Sequence, residues 1–179
     1  MALQTVTIHD KSFSLYLTEA EILAGIRQVA EQLNADYAAQ RPIFIAILNG
    51  SFMFAADLLK EVSIPCEISF VKVASYENTS STGQVKELLG LKESIKDRHV
   101  VILEDIVDTG NTVVTLFQTL GAQQPASIEV ATLLQKPECL QHDIAVKYVG
   151  RSIPNDFVVG YGLDYNGLGR NLKDIYKVI

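Results

Sequence analysis

Hydrophobic residues along the chain fall into two recurring patterns. The first consists of short apolar runs of strand length, most of them nearly continuous and one alternating with polar positions. A continuous run is typical of a strand that is covered on both faces, whereas alternation is typical of a strand with one buried face. These runs predict four strands, at residues 41–48, 66–73, 100–106 and 128–135.

The second pattern has the three- to four-residue spacing of amphipathic helices. It appears first in TEAEILAGIRQVAEQL, where Thr18 and Glu21 have the spacing of a capping box, so a helix should begin directly after Thr18. Two more helices are predicted, FMFAADLLKEV over 52–62 and NTVVTLFQTLGA over 111–122. The residues that form the apolar face of the first and last of these helices are Ile22, Ile26, Val29 and Leu33, and Val113, Leu116, Phe117 and Leu120.

Strands and helices alternate along most of the chain. Such alternation predicts an α/β fold, in which a parallel sheet carries helices on both faces. Residues 141–179 differ, because they contain only short β-like runs separated by Pro154-Asn155 and by the glycine-rich segment YNGLGRN. The N- and C-terminal segments are candidates for a small lobe over the sheet, although periodicity alone does not show that they meet.

Composition sets limits on the class of protein. A chain of 179 residues, 48% hydrophobic and 20% charged, suits one globular domain. The formal net charge of −6 argues against broad, nonspecific binding of nucleic acid. Cys66 and Cys139 are too few and too far apart for a disulfide framework or a thiolate metal site. No basic N-terminal region precedes an apolar run, and no long apolar stretch occurs, which predicts a soluble cytoplasmic protein without a membrane segment.

Candidate chemistry is concentrated between the third predicted strand and the helix that follows it. Glu104 and Asp105 lie near the carboxyl end of the strand, where ligands bind in parallel α/β sheets. The segment from Asp108 to Thr112 leads into a helix, whose N-terminal N–H groups suit a phosphate. Carboxylates would repel that phosphate unless they face sugar hydroxyls, a divalent cation or a proton to be removed. A simpler alternative is that Asp108 or Thr109 serves only as a helix N-cap.

The segment EDIVDTGNT, residues 104–112, resembles the phosphoribosyl diphosphate signature of the type I phosphoribosyltransferases. Four other segments resemble the hypoxanthine-guanine branch of that family, and they occur in the same order and with the same spacing. They are LNGSFMFAADLL (48–59), SYENTSSTGQVK (75–86), LLQKP (133–137) and DFVVGYGLDYN (156–166). The resemblance implies a single domain over 1–179, with a core of about 38–140 and a small hood lobe from about 1–15 and 141–179.

The resemblance implies a purine-salvage reaction and assigns roles around the phosphoribosyl donor. N9 of a 6-oxopurine (hypoxanthine or guanine) attacks ribose C1 of 5-phosphoribosyl 1-diphosphate and displaces pyrophosphate. Glu104 and Asp105 would bind the ribose hydroxyls, and Asp108 would be the general acid/base that faces N7 of the purine. The 5′-phosphate would be held by Thr109, Gly110, Asn111 and Thr112. Many members of the family carry a lysine where this chain has Asn111.

Purine binding is assigned by the same resemblance to residues near the C-terminus. Lys136 would donate to O6, Phe157 would stack on the purine ring, and the carbonyl of Val158 would meet the exocyclic position. Asp164 would be a metal-linked carboxylate and Arg170 would contact the pyrophosphate. Without the resemblance, the alternatives are a strand-end lysine for Lys136, a core aromatic for Phe157, a turn residue for Asp164 and a solvated loop cation for Arg170. Magnesium would arrive with the diphosphate and would be bound by carboxylates, namely Glu104, Asp105 and Asp164.

Two loops would complete the site according to the resemblance. Residues 48–51 would form a pyrophosphate loop, in which Asn49 and Gly50 offer backbone amides and in which the family often has a non-proline cis peptide. Asn49 replaces a lysine or arginine that is common there, so a direct contribution of charge is lost. Ser75 and Tyr76 would begin a lid, over residues 75–84, that closes over the reaction centre.

Two other functions are alternatives to this one. A xanthine-preferring enzyme stays open, because the sequence does not reveal the preference at the purine 2-position, whereas Lys136 disfavours adenine. A regulatory protein of this family that binds RNA is a second alternative, but the charge of −6 gives it no support. Family members are dimers or tetramers, so a homodimer or homotetramer is expected. His9, His99 and His142 lack the spacing of a zinc site.

Overall fold

The computed structural model of the protein describes residues 4–75 and 86–179. Its strands form two sheets and its helices pack on the larger one. In chain order the elements are β1 (Thr5–Ile8), β2 (Lys11–Leu17), α1 (Glu19–Asp36), β3 (Ile43–Leu48), α2 (Phe52–Glu61), β4 (Glu67–Ser75), β5 (Lys86–Leu89), β6 (His99–Val107), α3 (Asn111–Gly121), β7 (Ser127–Gln135), a short 3₁₀ turn (Pro137–Cys139), β8 (Tyr148–Ser152), β9 (Val158–Val159) and β10 (Ile175–Val178).

The larger sheet has the strand order β5-β4-β3-β6-β7-β8. The five strands from β4 to β8 in this order are parallel, and β5 adds an antiparallel edge. The predicted α/β fold with a parallel sheet is therefore confirmed, and the four predicted strands correspond to β3, β4, β6 and β7. Strand β5 was not predicted, because KELL carries no alternating or continuous apolar run.

Helices cover both faces of this sheet, as the continuous apolar run of β3 predicts. Phe44 and Ala46 belong to the hydrophobic cluster shared with α1 and α2. Their neighbours along the strand, Ile43, Ile45 and Ile47, belong to the cluster shared with α3. Alternate side chains of one strand thus support two separate cores.

Helix α1 begins where its sequence predicts. The Thr18 side chain accepts from the backbone of Glu21, and the Glu21 side chain accepts from the backbone of Thr18, which together form a capping box. The predicted apolar stripe is buried, together with Ala30. Asp174 adds a second cap from the far end of the chain, because its Oδ1 accepts from Glu19 N at 2.7 Å. Within residues 4–75 and 86–179, no helix is both long and apolar enough to cross a membrane.

The smaller sheet unites the two ends of the chain, in the antiparallel order β1-β2-β10-β9. Phe13, Val159 and Tyr176 are buried in a core of its own. We call these four strands the hood.

The hood was expected to include all of residues 141–179, but strand β8 within that range does not belong to it. Strand β8 pairs in parallel with β7 and so extends the larger sheet. The reason is packing: Tyr148 is fully buried against the α1 side of that sheet, and its hydroxyl donates to Asp36 at 2.8 Å. The boundary at 141 is therefore wrong for this strand.

Two glycines allow α1 and β8 to pack closely. A Cβ on Gly25 would lie 2.9 Å from the carbonyl oxygen of Gly150, which is a backbone atom of β8 and has no rotamer in which to move away. A Cβ on Gly150 would lie 2.8 Å from the carbonyl oxygen of Leu133 in β7. The helix therefore contacts the sheet edge through bare backbone.

We expect Gly25→Ala to destabilise the protein, although alanine favours a helix by about 1 kcal/mol. Overpacking against Gly150 should outweigh that gain and lower the free energy of unfolding by a net ~1–2 kcal/mol. Gly121→Ala is the control for space around the added methyl, since no described atom outside its own helix segment lies within 4 Å of that Cβ; Gly121 is the last residue of α3, whereas Gly25 is inside α1. Urea denaturation measures both variants, and equal stabilisation of the two would contradict this packing argument.

Candidate active site

The parallel strands bring their carboxyl ends to one edge of the larger sheet. Residues 43–46 of β3 lie beside residues 100–103 of β6, and Glu104 of β6 lies beside Thr132 of β7. The loops that follow these strands therefore meet above the same edge, which is where ligands bind in such sheets.

A pocket forms around the turn between β6 and α3, and we call it the phosphate-loop pocket. Its lining combines Glu104 with the predicted phosphate loop, namely Ile106, Val107, Asp108, Thr109, Gly110, Asn111, Thr112 and Val113. Gly110 occupies the N-cap position of α3 with a φ of 84°, a left-handed conformation that favours glycine. The simple alternative in which Asp108 or Thr109 is the N-cap is therefore wrong, although Thr109 Oγ1 accepts from the N–H of Asn111 at 3.4 Å.

Glu104 and Asp105 are held in an environment that disfavours their charge. Glu104 is 6% exposed, and its Oε1 is buried without a hydrogen-bond partner among the described residues. Burial raises the pKa of Glu104 well above the ordinary value, and the neighbouring charge of Asp105 adds to this shift. Burial also raises the pKa of Asp105, although the N–H of Ile106 and the charge of Arg170 oppose the shift. An unsatisfied buried carboxyl group of this kind marks a functional site.

A second pocket of about 270 Å³ lies beside the first, and we call it the base pocket. Its lining contains the four residues predicted to bind the purine, Lys136, Phe157, Val158 and Asp164, and in addition Asp105, Ile106, Asp108 and Leu163. Asp108 belongs to both pockets. The structure thus brings together residues that are distant in the chain, as the resemblance implies.

Lys136 and Asp108 form an ion pair at the base pocket. Lys136 is 7% exposed, and its Nζ lies 2.8 Å from Asp108 Oδ2 and 3.3 Å from Asn155 Oδ1. A buried ammonium needs such partners, because leaving it unpaired would cost several kcal/mol. Lys136 is therefore not a strand-end lysine that reaches solvent.

Phe157 presents its ring to the base pocket instead of filling the core. It remains 44% exposed, and Tyr165 packs edge-on against it at a centroid distance of 5.8 Å. Val158 follows it into β9 of the hood and is buried. An aromatic face of this kind, held from one side, suits stacking on a flat ring.

The loop after β3 lies against both Asp105 and Gly162. The Leu48-Asn49 peptide is cis, Asn49 is exposed, and Ser51 Oγ donates to the carbonyl of Ile47 at 2.7 Å. Gly50 lies so close to Asp105 that a Cβ on it would overlap the carboxylate. Residues 49 and 50 therefore stand at the carboxylate end of β6, without lining either pocket.

Arg170 is also outside the pocket linings but is connected to them. Its guanidinium lies 2.5 Å from Asp164 Oδ1 and donates to the carbonyl of Gly162 at 2.6 Å. Asp164 Oδ2 accepts from the N–H of Gly167 at 2.7 Å, so its carboxylate is held on two sides.

Some residues fall outside these predictions. Ser75 ends β4, but Tyr76 and residues 77–84 of the predicted lid lie outside the described residues. Conversely, sequence reasoning missed Leu163 as a wall of the base pocket and Asn155 as a partner of Lys136. Asn155 was noted only as a turn residue after Pro154, and nothing local indicated a contact across 19 positions.

The carboxylates suit a hard divalent cation, which prefers oxygen ligands. Glu104 has a buried unpartnered oxygen, and Asp105 and Asp164 line one pocket. Across the described ranges no three His, Cys, Asp or Glu side chains converge into a ready-made metal cluster.

Known proteins resemble this chain in sequence and in fold. The family model for the phosphoribosyl transferase domain matches residues 14–166. The hypoxanthine phosphoribosyltransferase of Salmonella typhimurium is 42% identical over 166 residues, which are 91% of this chain and 93% of that protein. The hypoxanthine-guanine phosphoribosyltransferase of Staphylococcus aureus is 41% identical over 169 residues, 94% of each chain. A solved hypoxanthine-guanine phosphoribosyltransferase from Bacillus anthracis has a TM-score of 0.82 and 33% identity, covering 92% of this chain and 96% of that chain.

We expect Glu104→Gln to stabilise the protein at neutral pH. The native state keeps the Glu104 proton to a higher pH than the unfolded chain does, so stability falls as pH rises above about 4.5, the ordinary value. Within that window the loss approaches ~1.4 kcal/mol per pH unit. Glutamine keeps the size of the side chain and cannot ionise.

The measurement is urea denaturation of both proteins between about pH 4 and 8. The stability gap should be widest at the alkaline end and should close below about pH 4.5, where both unfolded and native Glu104 are protonated. The coupling between Glu104 and Asp105 is part of the difference, because the charge of Asp105 adds to the pKa shift of Glu104. A gap that does not change with pH would rule out this account of Glu104.

Proposed function

Because the chain belongs to the phosphoribosyltransferase family, we propose that it transfers the phosphoribosyl group of 5-phosphoribosyl 1-diphosphate to N9 of hypoxanthine or guanine, giving IMP or GMP and pyrophosphate. This is a purine-salvage activity, and relatives that match over more than nine-tenths of the chain carry the corresponding enzyme names. The observation that carries the choice of base is the ion pair between Lys136 and Asp108.

The ion pair matches one edge of a 6-oxopurine. N7 and O6 are neighbours on that edge, and when N7 carries a proton the edge offers a donor beside an acceptor. Asp108 can accept from N7–H while Lys136 donates to O6. Adenine places an amino group in the O6 position, so a donor would face the ammonium and no hydrogen bond could form between them. The exposed ring of Phe157 supplies a surface for stacking, and the Val158 carbonyl would meet the exocyclic position.

The donor would occupy the phosphate-loop pocket. The backbone amides at the N-terminus of α3 and the hydroxyls of Thr109 and Thr112 would hold the 5′-phosphate. Gly110 allows the backbone to approach the phosphate, since it has no Cβ. Glu104 and Asp105 would accept from the ribose hydroxyls, and the unpartnered Oε1 of Glu104 would then gain a partner.

Asp108 would act as the general base. It lies where the two pockets meet, so it can face both the purine and ribose C1. Removal of the N7 proton makes N9 more nucleophilic as its bond to C1 forms and the bond from C1 to pyrophosphate breaks. The nearby carboxylates also suit the positive charge that develops on the sugar.

Pyrophosphate would leave toward the loop after β3. Backbone amides around Asn49 and Gly50, together with Arg170, would hold it, and Ser75 and Tyr76 would begin the lid over the reaction centre. Magnesium bound with the diphosphate would neutralise charge on the leaving group. Glu104, Asp105 and Asp164 are the residues that would hold it.

We further propose that the enzyme is a homodimer or homotetramer located in the cytoplasm. Phe54 and Leu58 of α2 cover the sheet, but Phe52 of the same helix is 41% exposed and Phe70 is 43% exposed. These apolar surfaces suit contact with a second copy of the chain. Light scattering at micromolar concentration should give at least twice the chain mass, and a monomer would contradict the assembly.

The cysteines, Cys66 and Cys139, are free thiols, as is usual in a reducing compartment.

A purine panel tests the proposed activity directly. The protein is incubated with 5-phosphoribosyl 1-diphosphate, magnesium and each of hypoxanthine, guanine, xanthine and adenine, and nucleotide products are separated by chromatography. Product from hypoxanthine or guanine, with little from adenine, is expected. Activity with xanthine alone would favour the xanthine-preferring alternative, and no product from any base would overturn the proposal.

We expect Asp108→Asn to slow the chemical step by about 10²-fold or more, because the amide cannot accept the N7 proton. Binding of the donor should change far less, since its phosphate is held elsewhere in the loop. Thr112→Val is the matched control, which removes one hydroxyl from the phosphate site and should weaken the donor while leaving the base in place.

Single-turnover rates and donor affinities of both variants separate these effects. An Asp108→Asn enzyme with an unchanged chemical step would show that this carboxylate is not the general base.

A further inference from the structure

The segment after the 3₁₀ turn packs against the phosphate loop. The N–H of Gln141 donates to the carbonyl of Thr109 at 3.0 Å. A Cβ on Gly110 would lie 2.6 Å from Ile144 Cδ1, so the apolar side chain of Ile144 covers the left-handed residue of the loop. The N–H of Ile144 also donates to the carbonyl of His142 at 3.0 Å, which holds the segment in a tight turn.

This packing places His142 beside Asn111, across 31 positions of sequence. His142 Nε2 lies 2.6 Å from Asn111 Oδ1. A carbonyl oxygen can only accept, so His142 Nε2 must carry the hydrogen of this bond. The contact therefore fixes the orientation of the Asn111 side-chain amide. Its oxygen faces His142, and its Nδ2 amino group, which has two hydrogens to donate, points away from the histidine.

Asn111 lines the phosphate-loop pocket together with Thr109, Gly110 and Thr112. No lysine occurs between Asp108 and Thr112, so this part of the pocket must bind an anion through N–H and O–H donors alone. A correctly turned Asn111 amide adds two such donors. If the amide turned the other way, its oxygen would face the phosphate and repel it.

We propose that His142 is a positioning residue for the donor: it fixes Asn111 so that the side-chain N–H groups face the 5′-phosphate. This inference rests on the proposed function, because it presumes that 5-phosphoribosyl 1-diphosphate occupies the pocket. His142 acts through Asn111 and lies on the phosphate side of the site, whereas Lys136 and Phe157 lie on the purine side. Removal of the His142 side chain should therefore raise the KM for 5-phosphoribosyl 1-diphosphate and not the KM for the purine.

The test is steady-state kinetics of the full chain with each substrate varied in turn. His142→Ala should raise the KM for 5-phosphoribosyl 1-diphosphate by about 2- to 10-fold, the usual effect of one hydrogen bond. The KM for hypoxanthine and kcat should change by less than about twofold. His142→Gln keeps an N–H donor and should restore much of the donor affinity.

Two further variants separate positioning from a general structural effect. Gln141→Ala removes an exposed side chain from the same segment but keeps the backbone N–H to Thr109, so donor KM should stay unchanged. Asn111→Ala should raise the donor KM, and adding His142→Ala to it should have no further effect, because the residue that His142 positions is gone.

The outcomes distinguish this inference from the proposed function. A wild-type enzyme without transferase activity would overturn the function itself. An active wild type whose donor KM is unaffected by His142→Ala would overturn only the positioning role, as would additive effects in the double variant. Equal rises in KM for both substrates would show that His142 only supports the structure of the loop.

Discussion

Lys136 is almost completely buried, and its ammonium group requires the carboxylate of Asp108 2.8 Å away. The two residues are 28 positions apart and belong to the ends of different strands. They meet because β6 and β7 pair in parallel, with Val107 beside Gln135, so that the residues that follow leave the sheet side by side. The parallel register is thus what forms the base pocket, and it is also what gives the buried lysine its partner.

The two pockets of the site offer different groups to a ligand. Around α3, the groups available to an anion are backbone amides and hydroxyls at a helix N-terminus. Toward the hood, the groups are a lysine, an aromatic ring and carboxylates. Glu104 and Asp105 stand between them, buried at a cost to the fold that a ligand with hydroxyl groups or a cation would offset. At this point of the sheet the fold keeps an unpartnered carboxyl group where an uncharged amide would be more stable, and function explains why it is kept.

The periodicity of hydrophobic residues is enough to predict much of the fold. A local sequence motif is enough to predict part of the site. The helix α1 and the strand β3 carry strong patterns, so their positions and burial follow from sequence. The phosphate loop is also local, since one turn of consecutive residues lines its pocket. By contrast, β5 is a short edge strand with no pattern of its own, and β8 was placed in the hood because its run looks like the short runs that follow it. Contacts such as Lys136 to Asn155 or His142 to Asn111 join distant segments, and only three-dimensional packing decides them.

The most direct test of the account is the affinity of the free enzyme for two nucleoside monophosphates, IMP and AMP, measured by isothermal titration calorimetry. Each ligand fills both pockets at once, and they share the same ribose and phosphate, so any difference arises at the purine. The two bases differ at position 6, which would face Lys136, and at the adjoining N1, which carries a proton only in IMP. The account predicts that IMP binds at least ~10-fold more tightly, because AMP would set an amino group against a buried ammonium. Equal affinity for IMP and AMP would contradict the claim that this ion pair selects the 6-oxopurine.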